Sequence, residues 1–218
     1  MRGSKLLTAQ SNTTAPRNGQ QDNVRFIGAL TGCYSLSERR SEEVDGVPVY
    51  ACRLCSISPH QAVIVAPIIA LQSESVIAHF KDFGILRTQV ARELPTGFVL
   101  DIDLDEDGRH KLAAKIRWKK QNATSHVPDK REFPRIMPRH PRSVLTMHDG
   151  TRMPCFVIDI SQSGAAVSAA ILPGKGTPLA VGSMVGRVVR RLEVGFAVEF
   201  THSYALEELE ERLVTPPA

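Results

Sequence analysis

A chain of 218 residues with 42% hydrophobic content is long enough for two small domains, each with its own core. Aromatic residues make up only 6%, so a reader of polymeric nucleic acid that works by base stacking would have few platforms, and the formal charge of +4 favours anionic partners without demanding them. Cys33, Cys52, Cys55 and Cys155 are too few for a disulfide framework in a chain this long, which sets the expectation of a reducing, cytoplasmic setting.

In chain order, Met1 to Gln20 lacks the apolar core of a secretory signal and Ser11 to Asn23 is polar, so 1–23 reads as a disordered tail. No segment approaches the roughly 20 apolar residues of a membrane span; the apolar run Ala62 to Leu71 is short and contains Pro67. From 24 onward, short apolar strands alternate with turn residues, and the pattern occurs twice. Gly97-Phe98-Val99-Leu100-Asp101-Ile102 matches Gly195-Phe196-Ala197-Val198-Glu199-Phe200 at an offset of 98, as does Val90 to Leu94 against Val188 to Leu192. Ile57 to Val63 matches Ile160 to Ala166 at an offset of 103, one short indel reconciling the two. A repeat of this length means two copies of a domain rather than a solenoid unit. The copies are expected at 24–122 and 131–214, joined by a linker at 123–130.

Within the second copy, strands are expected at Ser143–Met147, Met153–Ile160, Ala165–Ala170, Ser183–Leu192 and Gly195–Phe200, with a Pro/Gly loop at 173–178. Asp149-Gly150 and Leu192 to Gly195 read as hairpin turns. Strands this frequent predict a small closed barrel or a sandwich. Each copy ends in a helix: Asp105 begins one that runs to about Lys119 with Leu112 and Ile116 inward, and Ser203 caps Tyr204–Val214 with Leu206, Leu209 and Leu213 on one stripe.

The stretch 109–142 is rich in Lys and Arg, opposed only by Asp129 and Glu132. Its first part reads as a solvated helix face. At its end, Lys130-Arg131-Glu132-Phe133-Pro134-Arg135 is kept from being helical by Pro134, Pro138 and Pro141, which leaves Arg131 and Arg135 free to converge on an anion. Asp159-Ile160-Ser161-Gln162-Ser163-Gly164 follows at a strand end and turn. Taken alone, that motif is also ordinary turn chemistry.

Arg131-x-x-x-Arg135, then Asp159-x-Ser161-x-x-Gly164, then the Gly195–Phe200 strand resembles the PilZ domain over about 130–200. PilZ domains are bacterial receptors for cyclic diguanylate (cyclic di-GMP), and the resemblance implies a six-stranded barrel with a C-terminal helix. The chain as a whole is then all-β with terminal helices: two tandem PilZ-like six-stranded barrels, each followed by a helix. The resemblance places Arg131 and Arg135 on a flexible segment that closes over the ligand, with Asp159, Ser161 and Gly164 on the barrel surface and Lys130 and Ser163 as additional contacts. The residue types suit a cyclic dinucleotide. Arginine forks match phosphate oxygens and the O6/N7 edge of guanine, a carboxylate accepts from the guanine N1–H and N2–H₂ edge, and Gly164 permits a positive φ and close approach.

The first copy has Ser56 where Asp159 stands and Gln61 where Gly164 stands; only Ser58 matches Ser161, and no Arg-x-x-x-Arg precedes it. It reads as a degenerate barrel that packs on the second, mediates a homodimer or docks a partner. Cys52-x-x-Cys55 reads as idle thiols and Asp101, Asp103, Asp105 and Asp107 as a solvated edge and helix cap. No nucleophile elbow, phosphate-binding Gly-rich loop, catalytic carboxylate pair or metal-ligand spacing is present. The expectation is a non-enzymatic, cytoplasmic effector that binds cyclic di-GMP, rearranges its domains and regulates a protein partner in motility, exopolysaccharide or biofilm output. The alternatives are an interaction module without nucleotide binding and, less favoured, a basic barrel for nucleic acid.

Overall fold

The computed structural model describes residues 24–37, 39, 47–122 and 133–214. The tail at 1–23, the linker at 123–130, and Lys130 and Arg131 lie outside the described residues. The first barrel comprises β1 (Phe26–Leu36), β2 (Val49–Ile57), β3 (Gln61–Val65), β4 (Ser75–Phe80), β5 (Gly84–Leu94) and β6 (Gly97–Ile102), followed by α1 (Glu106–Gln121). The second comprises β7 (Arg142–Met147), β8 (Arg152–Ser161), β9 (Gly164–Ala169), β10 (Pro178–Val181), β11 (Met184–Arg191) and β12 (Phe196–Phe200), followed by α2 (Leu209–Val214). Both sheets close, in the orders β1-β2-β3-β6-β5-β4 and β7-β8-β9-β12-β11-β10. These are the same circuit six strands apart, so the repeat seen in sequence is a repeat of topology.

The correspondence extends to the irregularities. β2 slips register against β3 between Leu54 and Ser56, and β8 slips against β9 between Val157 and Asp159, positions 103 apart. β5 slips against β6 between Val90 and Arg92, and β11 against β12 between Val188 and Arg190, positions 98 apart. A glycine is also shared. A Cβ on Gly97 would lie 1.9 Å from the Ile64 carbonyl oxygen, and one on Gly195 (φ +86°) 2.1 Å from that of Val167. Both hairpins therefore need the backbone approach that only glycine allows.

Two elements differ from expectation. β10 was read as loop and an unassigned stretch; its four residues place Leu179 and Val181 in the core and pair with both β7 and β11, which closes the barrel. The terminal helix does not start at Tyr204 under a Ser203 cap. Tyr204 donates its N–H to the Gln162 carbonyl at 3.0 Å and packs edge-on against Phe200, which keeps the chain extended there. A 3-10 turn then spans Leu206–Glu208, preceded by Ala205 with no side-chain cap, and Leu206 faces outward, while Leu209 and Leu213 are buried against the barrel. By contrast α1 begins as expected, Asp105 accepting from the Gly108 N–H at 2.8 Å. Its basic face is partly tied down: Lys119 pairs with Asp82 at 2.7 Å and Lys115 donates to the Phe83 carbonyl at 3.0 Å.

The barrels pack β2 against β8 and β9. Cys155 and Val157 point into the second core, so Phe156 between them points out, yet it is 1% exposed. Likewise Arg53, between the inward Cys52 and Leu54, is buried outside its own barrel. The longer β2 outruns β3, whose pairing reaches only to Arg53, so the Ala51 N–H has no strand partner on that side. It donates instead to the Ser168 hydroxyl of the second barrel, 3.1 Å away in a buried site. The equivalent position in β8 is Pro154, which has no N–H to satisfy. We expect Ser168→Ala to destabilise the protein by about 1–3 kcal/mol, the usual cost of orphaning a buried backbone donor. Urea unfolding of the full chain measures this; a cost near zero would show that the contact is dispensable.

Candidate functional site

The site is built on a phase shift. In a regular strand, side chains two apart share a face, so Asp159 would follow Val157 into the core. The bulge between them resets the alternation: Val157 and Ile160 both enter the core, and Asp159 emerges on the outer surface. The bulge in β11 does the same for Arg190, since Val188 is in the core and Arg190 is not. The two outward residues reach the same depression.

Arg135 is brought over this depression by an isolated bridge. The Ile136 N–H donates to the Ile160 carbonyl at 2.8 Å, and the Ile160 N–H returns to the Ile136 carbonyl at 2.9 Å. One residue upstream, the Arg135 guanidinium lies 3.5 Å from the Asp159 carboxylate. Both side chains are about one-third exposed, 36% and 28%, so the contact is long, solvated and readily exchanged for another partner. The cavity holds about 270 Å³ and is lined by Arg135, Asp159, Ser161, Ser163, Gly164 and Arg190, with the outer faces of β9 and β12 as its floor.

Of the residues singled out in sequence, the fold therefore gathers Arg135, Asp159, Ser161, Ser163 and Gly164 around one cavity. Arg131 and Lys130 lie outside the described residues. The part expected of Gly164 needs correction. It is not in the positive-φ region; it is required because a Cβ there would sit 2.3 Å from the Val198 carbonyl oxygen on β12. Ser161 is largely buried and its hydroxyl is engaged locally, 3.3 Å from the Gly164 carbonyl and 3.5 Å from the Ser163 hydroxyl. Sequence reading missed Arg190 and Glu199 as lining residues. The signal for Arg190 was its match to Arg92 at the second bulge, a position where strand alternation breaks.

In the first barrel the corresponding ground is filled differently. Gln61 stands opposite Asp101 as Gly164 stands opposite Glu199, and its amide donates to the Asp101 carboxylate at 2.8 Å. The side-chain pair lies across the strands where the second barrel offers bare backbone.

The thiols are electrostatically unsuited to reaction. Burial pushes the Cys155 thiol up to about 12 and raises Cys52 well above its ordinary value, so the nucleophilic thiolate is suppressed. Cys55 is the extra residue of the β2 bulge and is half-buried, and all four cysteines are unbonded. Among the described residues, no group of three or more His, Cys, Asp or Glu is placed to hold a metal ion. No helix among them is long and apolar enough to cross a membrane.

The second barrel thus carries an arginine and an aspartate over a small polar depression. Residues 129–215 match the model of the PilZ domain, and the second barrel is a PilZ domain. The search of curated proteins gives no significant match. Among solved structures the chain is similar to Borreliella burgdorferi PlzA in complex with c-di-GMP, at 12% identity over 85% of this chain and 86% of that one, with a TM-score of 0.26. It is similar to the Bacillus subtilis inhibitor of motility MotI/DgrA at 11% identity, over 86% and 94%, with a TM-score of 0.29. Escherichia coli YcgR in complex with c-di-GMP matches at 12% identity over 85% and 80%, with a TM-score of 0.25.

Because the Arg135–Asp159 contact is exposed and single, we expect Asp159→Ala to change stability by less than about 1 kcal/mol. Chemical denaturation checks this. A larger loss would make Asp159 a structural residue of the bulge rather than one available to a ligand.

Proposed function

We propose that this chain is a cytoplasmic second-messenger receptor that binds cyclic di-GMP at its second barrel and performs no chemistry on it. The observation that carries this reading is the bridge-held Arg135 facing Asp159 across the outward bulge, within the part of the chain that matches the PilZ domain. Arg135 supplies a planar donor fork for a phosphate or for the guanine O6/N7 edge. Asp159 accepts from the guanine N1–H and N2–H₂ edge. Ser161 and Ser163 add hydroxyls beside the backbone, and Gly164 keeps the floor low enough for a base to lie on it.

At about 270 Å³ the cavity falls just below the usual range for ligand pockets, so it takes part of a cyclic dinucleotide and leaves the rest above the barrel. Lys130 and Arg131, immediately upstream, are the residues that would cover that remainder. A ligand gathering this segment favours one arrangement of the barrels over another, and a downstream protein in motility, exopolysaccharide or biofilm control reads the difference. One observation favours a different reading, an interaction module that binds no nucleotide. The Ser161 hydroxyl is satisfied by its own turn and needs no ligand to complete it.

Calorimetry with cyclic di-GMP separates the two. Wild type is expected to bind, and Arg135→Ala and Arg131→Ala each to weaken binding on the order of ten- to a hundredfold, as for loss of a charge-assisted contact. Absence of binding by wild type would select the interaction module, whereas unchanged affinity in the Arg131→Ala plus Arg135→Ala variant would overturn the role given to the arginines.

A further inference from the structure

The segment that carries Arg135 is held at its other end by the first barrel. Arg53, on the outer face of β2, is only 8% exposed, and its guanidinium Nη1 donates to the Pro138 carbonyl. One residue on, the Arg139 N–H donates to the Glu210 carboxylate of α2 at 2.6 Å. Pro138 and Arg139 are thus gripped between one barrel and the other's terminal helix, two to four residues from the Ile136 bridge and Arg135. Arg53 Nη2 and Glu210 Oε2 are both buried without a hydrogen-bond partner among the described residues. Burial lowers the Arg53 guanidinium from its ordinary value, and Cys55 and Glu210 act against that shift. A buried arginine donating across a domain interface costs desolvation that packing alone does not explain. Its counterpart in the repeat, Phe156, buries the equivalent outward position with an apolar ring.

We propose that Arg53 of the first barrel is a positioning residue for the nucleotide site of the second, holding the 136–139 segment so that Arg135 stays over the cavity in the free protein. The degenerate barrel then contributes to affinity without touching the ligand. Because coupling is reciprocal, nucleotide binding tightens the Arg53–Pro138 contact and with it the docking of the barrels. This rests on the cyclic di-GMP reading for its ligand, whereas the clamp itself is present without one.

The test uses the full chain and two readouts on Arg53→Met, which keeps the apolar stem and removes the donors. Hydrogen exchange without ligand should show the Ile136 and Arg139 amides losing protection by roughly tenfold or more. Calorimetry with cyclic di-GMP should show affinity falling by roughly tenfold as the competent fraction drops. Glu210→Ala, which removes the grip from the helix side and leaves the buried guanidinium in place, should move both readouts in the same direction by less, and it stands in if Arg53→Met does not fold. Unchanged exchange in whichever variant folds overturns the clamp. Faster exchange with wild-type affinity overturns the positioning role. Wild type failing to bind defeats the nucleotide reading instead, and is told apart because the exchange arm needs no ligand.

Discussion

Everything at the site depends on one extra residue in β8. Without the bulge, with Ile158 paired as an ordinary strand residue, alternation would drive the Asp159 carboxylate toward a core built from Val157, Val167, Phe196 and their neighbours, where an unpaired charge is prohibitive. With it, the core receives Ile160 instead, and Asp159 stands outside beside the strand that accepts Ile136. The same residue thus fixes the hydrophobic register of the barrel, exposes the acid, and presents the Ile160 backbone to the segment that carries Arg135.

The bulge is not peculiar to the site, since both barrels have it. At the equivalent point of β2 the outward residue is Ser56, and the adjoining ground is bridged by Gln61 and Asp101. The two copies therefore separate fold from chemistry within one molecule. Shared features, namely the paired bulges, the hairpin glycines Gly97 and Gly195, and the buried Cys52 and Cys155, build a closed barrel. Unshared features, namely Asp159, Gly164 and the bridge at Ile136 that brings Arg135 in, build the depression proposed to take the nucleotide. The first barrel meets its neighbour elsewhere on β2, through Ala51 and Arg53.

Much of this was legible in the sequence because repeats and turn residues are local signals. The Gly-Phe strand, the Asp149-Gly150 turn and the Asp105 cap each follow from a few adjacent residues. β10 was not legible: Pro178 to Val181 is too short to show a period, and it becomes a strand only because β7 and β11 offer edges to close upon. The late start of the last helix escaped for the same reason, since Leu206 fits the apolar stripe and only the Tyr204–Gln162 contact overrides it. The role of Gly164 was misjudged because φ and close approach both select glycine, and only the position of the Val198 carbonyl distinguishes them. Arg53 was invisible, because nothing in a single strand marks a basic residue as one that will be buried against another domain.

The central claim is that ligand recognition belongs to the outward bulge of the second barrel and not to its counterpart in the first. Amide chemical-shift mapping of the full chain during titration with cyclic di-GMP tests it most directly. The account predicts saturable shifts at Ile136, at Asp159 through Gly164 and at Arg190, with Ser56 through Gln61 unmoved. Shifts concentrated at Ser56 through Gln61, with the second-barrel amides unchanged, would contradict it.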